Sequence, residues 1–179
     1  DGDDICSLDR FEKELRFLEK HPEFALVSCQ MNLYDSKGLY RVINYSEFPT
    51  KESLLHNSQF CHAGCMMRTE VLKKLGGYSE AVTRNRVEDY DLWVRMYAAG
   101  YKGYNLQEAL YSMRDDRNAM RRRKFSNRLN ECRVKILVCK EFNLGLMKYR
   151  YAIVPIIKGL IPPAIYRIAH KNNTTGREK

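Results

Sequence analysis

The sequence has no stretch of about 20 mostly apolar residues, the length a membrane-crossing helix needs. Its most apolar segment, Met147 to His170, is broken by Lys158. The six cysteines form no Cys-x-x-Cys pair, so they do not read as a zinc site; buried free thiols in a reducing, cytoplasmic compartment are expected. There is one tryptophan, no internal repeat and no low-complexity region. The chain opens on Asp with neither a methionine nor a signal-like apolar run, so a fragment whose upstream part is missing is expected. Acid is scarce in the last third: residues 112–179 carry 17 Lys and Arg against 5 Asp and Glu, while residues 1–111 carry 14 against 17. The formal charge of +9 is therefore concentrated in a basic tail, suited to phosphates on a lipid surface or a nucleic acid.

What is present suffices for one globular domain: 179 residues, 44% hydrophobic and 30% charged. Ser7 is predicted to cap a first helix, with Leu8, Phe11, Leu15 and Leu18 forming its apolar face. His21-Pro22 ends that helix. Phe24 to Cys29 reads as a buried strand, Asp35 to Gly38 as a turn, and Leu39 to Ile43 as a second strand. A short helix is expected from Thr50 to His56, and a strand or cleft wall from Phe60 to Met67. Thr69 is expected to cap a helix that Gly76-Gly77 stops. A helix from about Val87 to Ala99 follows, then two short strands near Lys102–Asn105 and Ala109–Met113. From about Asn118, Phe125, Leu129, Cys132, Ile136 and Cys139 mark a long amphipathic helix closed by Asn143 and Gly145. Residues 147–170 fit either a membrane-interface segment or a helix docked on the domain, and 172–179 a frayed tail.

Two acidic clusters carry the chemistry. Glu88, Asp89 and Asp91 sit at the start of a predicted helix, where free N–H groups and the dipole favour negative charge. A carboxylate at such a mouth, facing a cleft, can take a proton from a hydroxyl. Asp1-Gly2-Asp3-Asp4 lies in a loop and offers the hard oxygen ligands that Mg²⁺ and Mn²⁺ prefer, with phosphate oxygens completing the shell. Together the clusters suit metal-assisted transfer from a nucleotide donor.

Four motifs in order, Asp1-Gly2-Asp3-Asp4, Met67 to Leu72, Leu75-Gly76-Gly77-Tyr78 and Glu88 to Arg95, resemble the family 2 glycosyltransferases of the GT-A fold. The resemblance covers residues 1 to about 115. It implies an α/β fold with a mixed sheet and flanking helices, lacking the N-terminal nucleotide-binding half, with 1–116 as the metal and acceptor half. The C-terminal segments come from spacing and composition instead: 117–145 as a basic amphipathic helix, and 146–179 as a possible membrane-interface segment and frayed tail. The implied activity is inverting, metal-dependent transfer from a nucleotide-sugar, in general a UDP-sugar, with Mn²⁺ or Mg²⁺, to a saccharide or lipid-linked acceptor in surface polysaccharide synthesis; the fragment alone is expected to be inactive. By the same resemblance Asp1 and Asp3 are metal ligands, with Asp3 the better direct ligand, Asp4 contacts the donor or supports the loop, Asp89 is the base and Glu88 its neighbour. Arg68, Gly76, Gly77, Tyr78 and Trp93 shape the acceptor side, and His62, in the expected cleft wall, is an acceptor contact. In place of the family's Arg-x-His this chain has Arg114-Asp115-Asp116, which puts that role in doubt; Asp116 could replace the histidine, and Arg114, Arg117 and Arg121 could meet the diphosphate.

The competing reading is a non-catalytic basic module. Arg121-Arg122-Arg123-Lys124 with Phe125 could grip nucleic acid, and the tail could bind an anionic membrane surface at the cytoplasmic face. Against nucleic acid, the run opens a helix whose apolar stripe reads as core.

Overall fold

The computed structural model describes residues 2–115 and 124–160. Its centre is a mixed sheet in the order β1-β5-β2-β3. β2 (Leu26–Asp35) pairs parallel with β5 (Gly103–Arg114) and antiparallel with β3 (Gly38–Ile43). β1 (Ile5–Cys6) pairs antiparallel with the far end of β5, and β4 (Met66–Met67) pairs antiparallel with the first residues of β2. The helices are α1 (Arg10–Lys20), α2 (Thr69–Lys74), α3 (Glu88–Ala98), α4 (Phe125–Glu141) and α5 (Arg150–Leu160). This is a mixed α/β fold of the coarse kind the sequence predicts.

Several expectations needed revision. The two strands expected at 102–105 and 109–113 are one strand, β5. Cys29 pairs with Leu106 and Gln30 with Ala109, so Gln107 and Glu108 are an irregularity in an unbroken ladder. Such an insertion bends the strand without ending it. The first strand likewise continues well past Cys29, to Asp35. Thr69 is the first residue of α2, not its cap; Arg68 holds the cap position. The helix expected at 50–56 is a 3-10 turn, Ser53–Leu55, and the wall at 60–67 contains a second such turn, His62–Gly64.

The largest revision is α1. Ser7 does not cap it; its hydroxyl donates to Asp9, and the helix starts at Arg10. Three of the four residues of the predicted apolar face point outward: Leu8 is fully exposed, and Phe11 and Leu15 are more than half exposed, whereas Leu18 is buried as expected. The inward residues are Arg10, Glu14 and Leu18. Periodicity identifies a face but not its partner. Here the stripe one residue earlier lies against the sheet, with Arg10 pairing with Glu14 at 3.2 Å and its guanidinium 5.9 Å from the Tyr111 ring.

α3 is the central helix. Leu92, Trp93, Val94 and Met96 are almost completely buried, and Asp91 is buried beside them, while Glu88, Asp89 and Arg95 stay part-exposed. The four apolar residues join Leu26, Leu54, Leu55, Phe60, Val134 and Val138 in one core. α4 packs between α3 and α5, which explains why Val134, Lys135 and Val138 are buried along with the predicted Cys132 and Cys139. The buried Lys135 ammonium donates to the His56 carbonyl (2.7 Å), and burial holds its pKa below the ordinary lysine value. α5 docks Ala152 and Pro155 on the domain while Ile153, Ile157 and Leu160 stay exposed. No helix among the described residues is long and apolar enough to cross a membrane. All six cysteines are free, and four of them are buried.

Candidate functional site

The two acidic clusters are joined by one chain of contacts. Asp4 is held by β5: the Tyr111 hydroxyl donates to Asp4 Oδ2 (2.7 Å) and the Arg114 N–H to Asp4 Oδ1 (2.9 Å). The Tyr34 hydroxyl donates to the Asp3 carbonyl, so the loop is fixed from two strands while Asp3 itself remains exposed. Tyr111 packs beneath the His62–Gly64 turn: a Cβ at Gly64 would lie 3.3 Å from Tyr111 Cβ and 2.9 Å from Cys29 Sγ. Only glycine allows that approach. The turn then presents His62 to the mouth of α3.

There His62, Tyr78, Glu88, Asp89 and Trp93 come together. His62 Nε2 lies 3.0 Å from the Tyr78 hydroxyl, and its ring stands edge-on over Trp93, with centroids 6.2 Å apart. Trp93 is buried and forms floor, not wall. Asp89 has its pKa raised, chiefly by burial; the Tyr90 N–H and His62 oppose the shift, and Glu88 reinforces it. The Tyr78 hydroxyl is raised too, first by burial and then by Cys65, Asp89 and Glu88. Glu88 Oε2 is buried with no hydrogen-bond partner among the described residues. A carboxylate whose proton affinity is raised at a helix mouth is suited to general-base work.

The Gly-Gly turn reaches this site through Arg95. Asp91 is buried and accepts from Arg84 Nε and from Arg95 Nε (2.8 Å). Arg95 in turn donates to the carbonyls of Leu75 and Gly77. Gly76 and Gly77 have φ of +74° and +70°, the left-handed region that glycine occupies without strain. So Asp91 holds Arg95, Arg95 holds the turn, and the turn places Tyr78 against His62. The sequence places Asp91 in the acidic cluster and Arg95 at the end of the motif without a role for either. Their i, i+4 spacing with opposite charge was the available signal.

Other predicted residues lie elsewhere. Arg68 donates to the carbonyls of Phe24, Leu18 and His21, closing the end of α1 rather than lining the cleft. Arg114 lies at the end of β5, beside Asp4. Asp115 accepts from the Tyr40 hydroxyl at 2.8 Å. Asp1, Asp116, Arg117 and residues 121–123 lie outside the described residues, as do 161–179. Beside Asp89 a cavity of about 340 Å³ is lined by Ser58, Arg86, Tyr90, Asn127, Arg128 and Glu131, among others. A larger depression of about 710 Å³ lies behind the Gly-Gly turn, where Arg84 and Arg95 share the Asp91 carboxylate.

Over most of its length the chain is homologous to glycosyltransferases. EpsE of Bacillus subtilis, which carries a glycosyltransferase name, is 34% identical over all 179 residues, 64% of its own length. The amylovoran biosynthesis glycosyltransferase AmsE of Erwinia amylovora is 28% identical over 129 residues, 69% of this chain and 46% of AmsE. An Escherichia coli UDP-Gal:α-D-GlcNAc-diphosphoundecaprenol β-1,3-galactosyltransferase is 28% identical over 131 residues, again 69% of this chain and 45% of the relative. The chain thus spans less than two thirds of each. No protein-family model matches it.

Proposed function

We propose that the protein is the metal- and acceptor-binding part of an inverting glycosyltransferase of the GT-A type, in family 2. It would move a sugar from a nucleotide-sugar, a UDP-sugar by analogy with the galactosyltransferase relative, to a lipid-linked or saccharide acceptor in surface polysaccharide synthesis. The observation that carries this is Asp89: a carboxylate raised by burial at the mouth of α3, beside His62 and Tyr78, and linked through Gly64 and Tyr111 to the Asp3-Asp4 loop.

The residues present fit a divalent cation shared with substrate. Asp4 is engaged by Tyr111 and Arg114, whereas Asp3 is exposed, so Asp3, with Asp1, would hold Mg²⁺ or Mn²⁺ alongside phosphate oxygens. A metal there would supply charge stabilisation for the departing diphosphate. Asp89 takes the proton of the acceptor hydroxyl as its oxygen bonds to the anomeric carbon. The bond from that carbon to the donor diphosphate breaks, and configuration inverts. His62 and Tyr78 orient the acceptor, and Glu88 stands behind Asp89.

The exposed stripe Ile153, Ile157 and Leu160, continued by Leu146 and Met147, supports peripheral contact with an anionic membrane on the cytoplasmic side, where a lipid-linked acceptor would be met. From Phe142 to Arg177 the sequence holds six Lys and Arg and no acid.

The test is metal-dependent nucleotide release by the full-length protein across a panel of UDP-sugars, with wild type beside Asp89→Asn. The variant is expected to lose turnover by about 10²–10⁴-fold while retaining donor binding. Equal loss of both would contradict the role of Asp89.

A further inference from the structure

We infer that Arg10, buried and paired with Glu14, is a positioning residue for the Asp3-Asp4 loop and acts on it through Tyr111. That the loop holds a metal rests on the proposed reaction; that Arg10 holds the loop does not. Arg10 opens α1 where the loop, β1 and β5 meet. Cys6 stands opposite Tyr111 in the β1–β5 ladder, the Ser7 N–H donates to the Leu110 carbonyl (2.9 Å), and the Arg10 N–H donates to the Ser7 carbonyl (3.2 Å). The side chain is turned inward: Arg10 is 6% exposed and Glu14 not at all. Its guanidinium lies 4.2 Å from the centroid of the Phe11 ring and 5.9 Å from that of Tyr111. This gives the half-exposed Phe11 a use, since its ring covers the charge.

As a stabilising pair, Arg10 and Glu14 are poorly made. Both contacts run from one nitrogen, Nη1, at 3.2 and 3.4 Å, longer than the about 2.7–2.9 Å of a good charge-assisted bond. Arg10 Nε is buried with no hydrogen-bond partner among the described residues. Burying two charges costs solvation that so loose a pair does not return, and apolar residues of similar volume commonly serve stability as well or better. What the pair supplies, and what Met and Leu could not, is a fixed cation against the Tyr111 ring.

That cation acts on the loop in two ways. The ring's quadrupole attracts it, which fixes where the ring stands. A nearby positive charge also makes the phenol O–H a stronger donor, because it favours the form that has given its proton away. The pKa of the Tyr111 hydroxyl is raised by burial first and then by Asp4 and Cys61, and Arg10 opposes the rise. The same hydroxyl donates to Asp4 Oδ2 (2.7 Å), while Asp4 Oδ1 accepts from the Arg114 N–H (2.9 Å). With Asp4 held at both oxygens, its neighbour Asp3 faces outward, exposed. The order of support is therefore Glu14, Arg10, Tyr111, Asp4, and it ends one residue from the proposed metal ligand.

The test uses the full-length protein in mildly alkaline buffer, where Glu14, its pKa pushed up to about 7 by burial, is ionised. Hydrogen exchange of the Arg114 amide, resolved by NMR, reads whether Asp4 still holds it. Arg10→Met with Glu14→Leu replaces the pair by apolar residues of similar volume. Its melting temperature should stay at or above that of the wild type, while the Arg114 amide exchanges about fivefold faster or more, the size of a buried cation–π contact. Tyr111→Phe should speed exchange at least as much, and the double replacement should add nothing on top of it, because the two act in series. Arg10→Lys keeps a cation beside Glu14 and should retain most of the protection. Should the double variant fold poorly, Arg10→Gln carries the same comparison with Tyr111→Phe. Wild-type exchange in a variant that melts normally would overturn the inference, as would full additivity with Tyr111→Phe. The second readout is Mn²⁺ binding in the presence of UDP, followed by electron paramagnetic resonance. It should weaken about fivefold in the double variant. It should be lost in Asp3→Ala, which leaves the Arg114 exchange unchanged. If the wild type binds no Mn²⁺, the metal reading of the loop fails while the amide exchange still decides the role of Arg10.

Discussion

Replacing Asp91 by alanine should damage both stability and acceptor use, by separable routes. Its carboxylate is 5% exposed and takes charge-assisted hydrogen bonds from two guanidinium groups, Arg84 Nε and Arg95 Nε. Each such bond is worth about 1.5–3 kcal/mol net, and removing one partner of a buried pair costs about 3–5 kcal/mol. The arginine side chains are 21% and 29% exposed, so water partly re-solvates them, and the lower end, about 3 kcal/mol, is expected. For a domain of this size that is a fall of about 6–12 °C in Tm. Arg95 would also lose its anchor while still bonded to the Leu75 and Gly77 carbonyls. The Gly76-Gly77 turn should loosen and carry Tyr78 away from His62, raising acceptor KM with little change in donor KM. Thermal unfolding followed by circular dichroism gives the first number, and initial rates with each substrate varied give the second. In Asp91→Ala, Arg95→Ala should cost far less than it does alone, because the two act as a unit. An unchanged melting temperature, or a loss confined to donor KM, would refute the linkage drawn from Asp91 to Tyr78.

The remaining expectations are brief. Asp89 must be deprotonated to act, and burial raises its pKa, so activity should fall on the acid side at a pH above that of an ordinary aspartate; a profile of kcat/KM limited at or below the ordinary aspartate value would contradict this. Glu14 is fully buried and its pKa is pushed up to about 7 by burial, against the pull of Arg10. A raised carboxyl stabilises the fold in its protonated state, so its contribution is complete below its unfolded pKa and is lost as pH rises through about 7. Glu14→Gln should therefore flatten the loss of stability between mildly acid and mildly alkaline buffer, and an unaltered pH dependence of urea unfolding would count against it. Ile153→Asp with Ile157→Asp should abolish sedimentation with anionic vesicles without lowering the melting temperature, since both residues are about half exposed; retained binding would remove α5 from the membrane contact.

Much of this arrangement is legible in the sequence, and what is hidden there has physical causes. The order of the acidic loop, the Gly-Gly turn and the acidic helix is local chemistry, and both glycines take the left-handed backbone their type suggested. α3 was legible because its acids and its apolar run sit side by side in the chain. α1 was misread because a helix with a good apolar stripe need not bury it: the sheet side accepted an Arg10–Glu14 pair, and no local signal distinguishes the two orientations. The single strand β5 looked like two because Gln107 and Glu108 interrupt the alternation, while its pairing with β2 bridges residues far apart in sequence. The bridge from Asp4 to Asp89 was invisible for the same reason: Tyr111 and Gly64 mean nothing until the fold stacks one on the other. Arg68, placed on the acceptor side by resemblance, spends its guanidinium on the end of α1.

The thiols under the His62–Gly64 turn offer a clock for motions that kinetics alone would miss. Cys29 and Cys61 are buried, their pKa values pushed up to about 11 and 12, and Cys29 points at the Gly64 carbonyl, 3.8 Å away. In the closed molecule they are both unreachable and uncharged, hence inert to alkylating reagents. Any labelling must report a lifting of the turn from the sheet, and its rate at saturating reagent is the opening rate itself. Should a substrate seated between His62 and Asp89 clamp that turn, it would slow the alkylation of two cysteines it never touches. Occupancy of the cleft could then be followed by mass spectrometry before a single sugar had been transferred.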